Sequence, residues 1–153
     1  MSERPVRSFV PRGGDYAWEH VDELRYKQDG VAPFRDVTRR TLFRRDDMRS
    51  ELRYFEVAPG GYSTLERHEH AHAVMILRGE GDVLVGEDVF AVKAFDLVTV
   101  PPLTWHQFRA ARSSPLGFLC MVDAERDRPQ LPDERELERL RAIPAVARFL
   151  SSV

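Results

Sequence analysis

Between residues 49 and 122 the chain alternates short apolar runs with turn signals at Pro59-Gly60-Gly61, Gly79-Glu80-Gly81, Gly86-Glu87-Asp88, Pro101-Pro102 and Ser113-Ser114-Pro115. Runs this short, this regularly punctuated, predict the strands of an antiparallel barrel or sandwich. The strands fall at 52–57, 63–68, 73–77, 82–85, 89–92, 97–100, 105–110 and 117–122, segments rich in Val, Phe, Leu and Tyr, which suit a pleated, half-buried surface. Gly79 and Gly81 flank Glu80 where a hairpin is expected, and Gly86 suits a second tight turn, because glycine accepts positive φ.

The pattern changes on either side. Asp133 can cap a helix over 134–142 with Glu136 reaching back to it, and Leu137 and Leu140 give that helix an apolar stripe. Pro144 suits the first turn of a second short helix carrying Val146, Phe149 and Leu150, so the tail is expected to pack on the outside of the barrel. Residues 1–45 form an arm with Trp18, Tyr26, Phe34 and Phe43 among many arginines and a strand near 38–43. It either extends a sheet or crosses to a second subunit. The expected organisation is one domain, 1–153, made of this arm, a barrel core over 46–123 and a helical tail over 124–153.

Composition narrows the function classes. The 153 residues are 42% hydrophobic and 31% charged, with 25 acids against 23 bases and a formal charge of −2. Neither a disordered chain nor a polycation has that balance, and nucleic acid is not expected as a partner. The apolar runs fall far short of the roughly 20 residues of a membrane span, and the start, Met1-Ser2-Glu3-Arg4-Pro5, has no apolar export core. A cytoplasmic address is therefore expected. The single cysteine, Cys120, agrees with a reducing compartment. There is no phosphate-cradling glycine loop, serine elbow or zinc-ribbon cysteine pair, so nucleotide and serine hydrolysis are not expected.

The chemistry concentrates in Glu66-Arg67-His68-Glu69-His70-Ala71-His72, which holds three of the five histidines. On a strand, Glu66, His68, His70 and His72 share one face, and a carboxylate with converging imidazoles suits a borderline divalent cation. A turn inside the segment would break the alternation, which leaves open which three of the four converge. His106 follows Pro101-Pro102 at the start of a later strand and is the natural fourth ligand; His20 has no supporting pattern and is assigned to the surface. Glu69 and Glu80 lie in expected turns facing water, whereas Tyr62 and Trp105 flank the two segments as candidate pocket walls.

A histidine-rich strand, a glycine pair and a later proline-turn histidine together resemble the two motifs of the cupin superfamily, over roughly residues 53–122. The first motif is Gly, five residues, His-x-His, three or four residues, Glu, six residues and Gly. Counting back from Gly79 puts His72 at the glutamate position, His68 at the second histidine and Glu66 at the first. Another alignment keeps His68 and His70 as the pair but leaves Val74 or Met75 at the glutamate position, where neither binds such a cation. The favoured set is Glu66, His68, His72 and His106, with His70 as a substitute ligand or a group behind one. In the second motif Pro101 and His106 fit the spacing, while Leu103 replaces a glycine and Ala110 an asparagine.

The resemblance implies an all-β fold, a cupin-type antiparallel barrel (double-stranded β-helix or jelly roll) with a short helical tail. It also implies a divalent metal, manganese favoured, with iron, nickel or zinc as alternatives. The segment from Gly117 to Gln130, with the 66–72 cluster, is similar to small bacterial cupins of the methylthioxylulose phosphate sulfo-lyase group. That similarity implies a lyase using manganese, a cysteine (here Cys120) and an external low-molecular-weight thiol to remove methylthiol from a 1-methylthio-pentulose phosphate. The broader expectation is a lyase or isomerase acting on a small oxygenated metabolite, phosphorylated or not. An iron-dependent dioxygenase and a non-enzymatic small-ligand sensor are the alternatives. Arg39, Arg40, Arg44, Arg45 and Arg109 are candidate phosphate anchors. Small barrels leave sheet edges, so a homodimer is expected.

Overall fold

The computed structural model describes residues 6–13, 16–25 and 33–152; Tyr26 lies outside these described residues. The strands are β1 (Leu24–Arg25), β2 (Arg35–Phe43), β3 (Ser50–Tyr62), β4 (His72–Val85), β5 (Asp88–Lys93), β6 (Leu97–Val100), β7 (His106–Ala110) and β8 (Leu116–Asp123), followed by the helices α1 (Glu134–Arg141) and α2 (Pro144–Ser151). All strand pairs are antiparallel. β3 bonds both β8 and β7, and β4 bonds the same two strands, so the ring β3-β8-β4-β7 closes into a barrel. β2 lies outside β3, β5 pairs the second half of β4, and β6 pairs its first half. Among the described residues no helix is long and apolar enough to cross a membrane.

Two expectations for the strands are corrected. The segment 63–68 is not a strand, because β3 ends at Tyr62 and the following residues pair through isolated bridges, Glu66 to His106 and Arg67 to Gln130, and scattered hydrogen bonds. Nor do Gly79-Glu80-Gly81 turn a hairpin, since β4 passes straight through them. The glycines serve close backbone approach instead. Gly79 has φ +74°, and a Cβ there would stand 1.6 Å from the carbonyl oxygen of Pro115; one on Gly81 would stand 2.0 Å from that of Arg109. At this point β4 exchanges its partners β6 and β8 for β5 and β7. The expected turn at Gly86 is present, with Val85 opposite Asp88 and Gly86 at φ +69°.

The strand near 38–43 is the larger part of β2, and the arm extends the chain's own sheet through β1 and β2. Tyr16 stacks on Tyr54 at 5.2 Å and Trp18 meets the same ring edge-on at 5.3 Å, covering the outer face of β3. The barrel interior is filled by Val37, Phe55, Val57, Ile76, Phe108 and Phe118 with their neighbours. α1 begins on a reciprocal capping box between Asp133 and Glu136. Leu140 of α1 and Val146 and Phe149 of α2 cover Leu65, Leu84 and Trp105 on the outside of the barrel, as the amphipathic pattern requires.

Candidate metal centre

Three imidazoles converge at one end of the barrel. His72 opens β4, His106 opens β7, and His68 arrives from the loop between β3 and β4. One ring nitrogen from each lies within 4.8 Å of the other two. The loop is positioned by the backbone: Glu66 and His106 exchange N–H to carbonyl bonds of 3.2 and 3.0 Å, and the Leu103 amide donates to the His68 carbonyl at 2.7 Å. Leu103 stands at φ +55° where the family motif has glycine, a left-handed conformation that a side chain adopts at some cost. The period-2 argument puts Glu66, His68, His70 and His72 on one face of a strand, but 66–71 is a bridged loop, and of these residues His68 and His72 gather with His106.

The hydrogen bonds set the tautomers. His68 Nδ1 lies 2.8 Å from the carbonyl of His70, and His106 Nδ1 lies 2.9 Å from that of Thr104. A carbonyl only accepts, so both Nδ1 atoms carry the proton and both Nε2 atoms carry a lone pair. His72 Nε2 stands 2.7 Å from His68 Nε2, and its Nδ1 stands 3.1 Å from Cys120 Sγ. Three neutral imidazoles whose outer nitrogens are held from behind are the donor set of a divalent cation site. Burial, and then the neighbouring histidines, hold the pKa of His72 down at about 2; burial first also lowers that of His68. Neutral rings are what a metal requires.

Glu66 is 6% exposed and pairs with His106 across the bridge, which turns both side chains to the same side. His70 stands one layer back. Its ring stacks on His68 at 3.7 Å between centroids, and its Nδ1 lies 2.9 Å from Asp127 Oδ1. Asp127 also accepts the Glu69 amide at 2.9 Å, and that bond, followed by His70, keeps its carboxyl below the usual range. Asp127 is a supporting residue that the sequence reading did not single out, because the link spans 57 residues and has no local signature. Cys120 lies on the interior side of β8, 2% exposed, and burial pushes its thiol up to about 12.

Other candidates lie elsewhere. Trp105 packs under the helices with Arg67 over its ring at 4.4 Å. Arg109 is stacked between Tyr62 and Phe149 and donates to the carbonyls of Leu150 and Ser152, which ties the tail to the barrel. Arg40 pairs with Glu23, and Arg45 pairs with Asp47 at 2.8 Å. His20 is exposed, as expected.

The closed antiparallel barrel with three histidines gathered at its end can be set beside known proteins. The family profile for the cupin domain matches residues 53–122. A 1-methylthio-D-xylulose 5-phosphate methylsulfurylase from Rhodospirillum rubrum is 58% identical over 147 residues, 96% of this chain and 94% of that protein.

The chain is a cupin.

Two solved cupins agree in fold along nearly the whole chain. The crystal structure of a cupin-2 domain from Rhodospirillum rubrum is 57% identical, with a TM-score of 0.84 over 97% of this chain and 98% of that one. That of a cupin 2 conserved barrel domain protein from Rhodopseudomonas palustris is 53% identical, with a TM-score of 0.85 over 94% and 97%. In this cupin, the two motif segments supply all three gathered histidines, and the strand that closes the barrel beside them supplies the single thiol.

Proposed function

We propose that this cupin is a metal-dependent carbon–sulfur lyase that removes methanethiol from a 1-methylthio-pentulose phosphate. The observation that carries the reading is the contact of Cys120 Sγ with His72 Nδ1 at 3.1 Å, which joins the one thiol of the chain to the histidine group. The near full-length similarity to a methylsulfurylase supports the substrate class. In this reading Glu66, His68, His72 and His106 hold the ion, and His70, stacked behind His68 and bonded to Asp127, orients the loop. Manganese is the favoured occupant, with iron, nickel and zinc also compatible with a nitrogen-rich set bearing one carboxylate.

A divalent ion in this site supplies Lewis acidity toward the oxygens beside the scissile carbon. The chain's own residues then divide the work. With Nε2 of His72 presented as a lone pair, Nδ1–H donates a hydrogen bond to the Cys120 sulfur, which stabilises the thiolate against the burial that raises the thiol pKa. The thiolate attacks the methylthio sulfur, forming a sulfur–sulfur bond. The bond from that sulfur to the sugar carbon breaks, and its electron pair stays on the carbon beside the ketone. Uptake of a proton there gives the 1-deoxy ketose phosphate. Two equivalents of a low-molecular-weight thiol then clear the methyl disulfide from Cys120, releasing methanethiol and the oxidised thiol. Burial of Cys120, 2% exposed, shields the sulfur between these steps.

The chain is further proposed to work in the reducing cytoplasm, as a single domain within a homodimer. The decisive test incubates manganese-loaded protein and a dithiol with 1-methylthio-D-xylulose 5-phosphate. Methanethiol and a deoxyketose phosphate in equal amounts are expected, together with loss of both product and bound metal in His106→Ala. Oxygen consumption by the iron-loaded protein without methanethiol release would favour a dioxygenase. Metal binding without turnover of either kind would favour a sensor.

A further inference from the structure

The interior face of the barrel changes from apolar to cationic beside Cys120. On β3, Glu51 and Arg53 share strand parity with the core residues Phe55 and Val57, and on β2, Arg39 shares it with Val37. The register makes the juxtaposition specific. Arg53 lies directly opposite Cys120 across β3 and β8, while Arg39 lies opposite Phe55, two residues along the same face from Arg53. Diagonal neighbours of this kind are about 7–8 Å apart at the backbone, within reach of two arginine side chains.

Arg126 completes the group from the segment after β8. Its Nη1 donates to Glu51 Oε1 at 2.7 Å and to the carbonyl of Asp123 at 2.8 Å. Glu51 is 3% exposed and pairs with Arg53 as well, so two guanidinium groups share one buried carboxylate while Arg39 stands diagonal to Arg53 on the same face. Hydrogen-bonding capacity is left over, because the Nε atoms of both Arg39 and Arg53 are buried with no partner. An unpaired buried N–H on a cation is costly to leave unsatisfied, and both atoms are donors that an anion could meet. Burial, and then the charges of Arg126 and Arg39, also hold the pKa of Arg53 below its ordinary value, against the pull of Glu51.

We propose that Arg39, Arg53 and Arg126 form a subsite for a phosphomonoester dianion. Three planar forks carrying two positive charges beyond the Glu51 carboxylate match the charge and the several acceptor oxygens of such a group. Identifying that anion as the substrate's own phosphate rests on the lyase reading. The sugar phosphate then has its phosphorylated end on the arginines and its reacting end against Cys120 and the histidines. Of the arginines singled out as phosphate candidates from the sequence, only Arg39 belongs to this set. Arg53 and Arg126 are new.

The test uses the full chain as purified and inorganic phosphate as the probe, in chloride buffer, with thermal unfolding and calorimetry as readouts. Saturable binding in the millimolar range is expected, weakened at least tenfold in Arg39→Gln and in Arg126→Gln and unchanged in Arg45→Gln. The two subsite variants leave the buried Glu51–Arg53 pair intact, and circular dichroism confirms that they fold. Absence of phosphate binding to the wild type, or equal binding by the variants, overturns the subsite. Turnover separates this proposal from the lyase reading. If phosphate binds through the arginines but the methylthio-pentulose phosphate is not consumed, the subsite stands and the substrate assignment falls. If the substrate is consumed and the variants lower kcat without raising KM, the lyase stands and the subsite falls.

Discussion

His68 and His72 are kept neutral by burial, and this has a definite effect on stability. In the unfolded chain His68 and His72 titrate near the ordinary value of about 6.5, whereas in the fold both are depressed, His72 to about 2. Below about pH 6.5 the unfolded state therefore binds more protons than the native state, so stability is lost as pH falls and regained as it rises. Denaturant unfolding of the metal-free protein at pH 7.5 and 5.5 should show a loss on the order of 1 kcal/mol per pH unit for each such histidine. His72→Gln should flatten that slope. Cys120 gives the second expectation at this scale. Cys120→Ser changes one buried atom and leaves the ligand set untouched, so metal content should hold while methanethiol release falls by roughly a thousandfold or more, as loss of a covalent nucleophile does. Retained turnover in Cys120→Ser would reject the thiol mechanism.

β4 shows how an element is specified by what it must pass. Its glycines read locally as a turn, yet Gly79 lies in a continuous strand, and the space a side chain would need is already filled by the Pro115 carbonyl. Gly79→Ala should therefore cost about 3 kcal/mol or more, combining left-handed strain with a backbone clash. Gly60 has the same φ of +74° but nothing within 4 Å of a Cβ, so Gly60→Ala should cost only about 1 kcal/mol. Thermal melts of the two variants separate conformational strain from packing. The loop of 63–71 teaches the complementary lesson. Its alternating pattern resembles a strand, but Thr64, Leu65 and Glu66 are all buried in succession, and a two-faced strand would expose every second residue. The histidines of that loop were legible as candidate ligands because their chemistry is unusual, whereas their local conformation was not, because bridges to distant segments decide it.

At the scale of the whole molecule, the tail serves to close the second apolar layer. Leu140 is fully buried against Leu84 and Trp105 on the barrel wall. Leu140→Ala should lower stability by about 2–5 kcal/mol, read by chemical denaturation, while leaving the metal content of the folded protein unchanged, because the helices lie outside the barrel. The amino-acid sequence by itself determined the class of fold, the two helices, the capping box of the first, the turn at Gly86 and which side chains carry metal-binding chemistry. Each of these is a local matter of period, propensity or side-chain chemistry. Only the tertiary structure decided that His68, His72 and His106 meet while His70 turns to Asp127, and that Cys120 faces His72. It also decided that Arg53 and Arg126 share Glu51 and that Arg109 serves the tail. Those outcomes depend on strand register and on contacts between residues tens of positions apart, and closing the barrel is what brings them together.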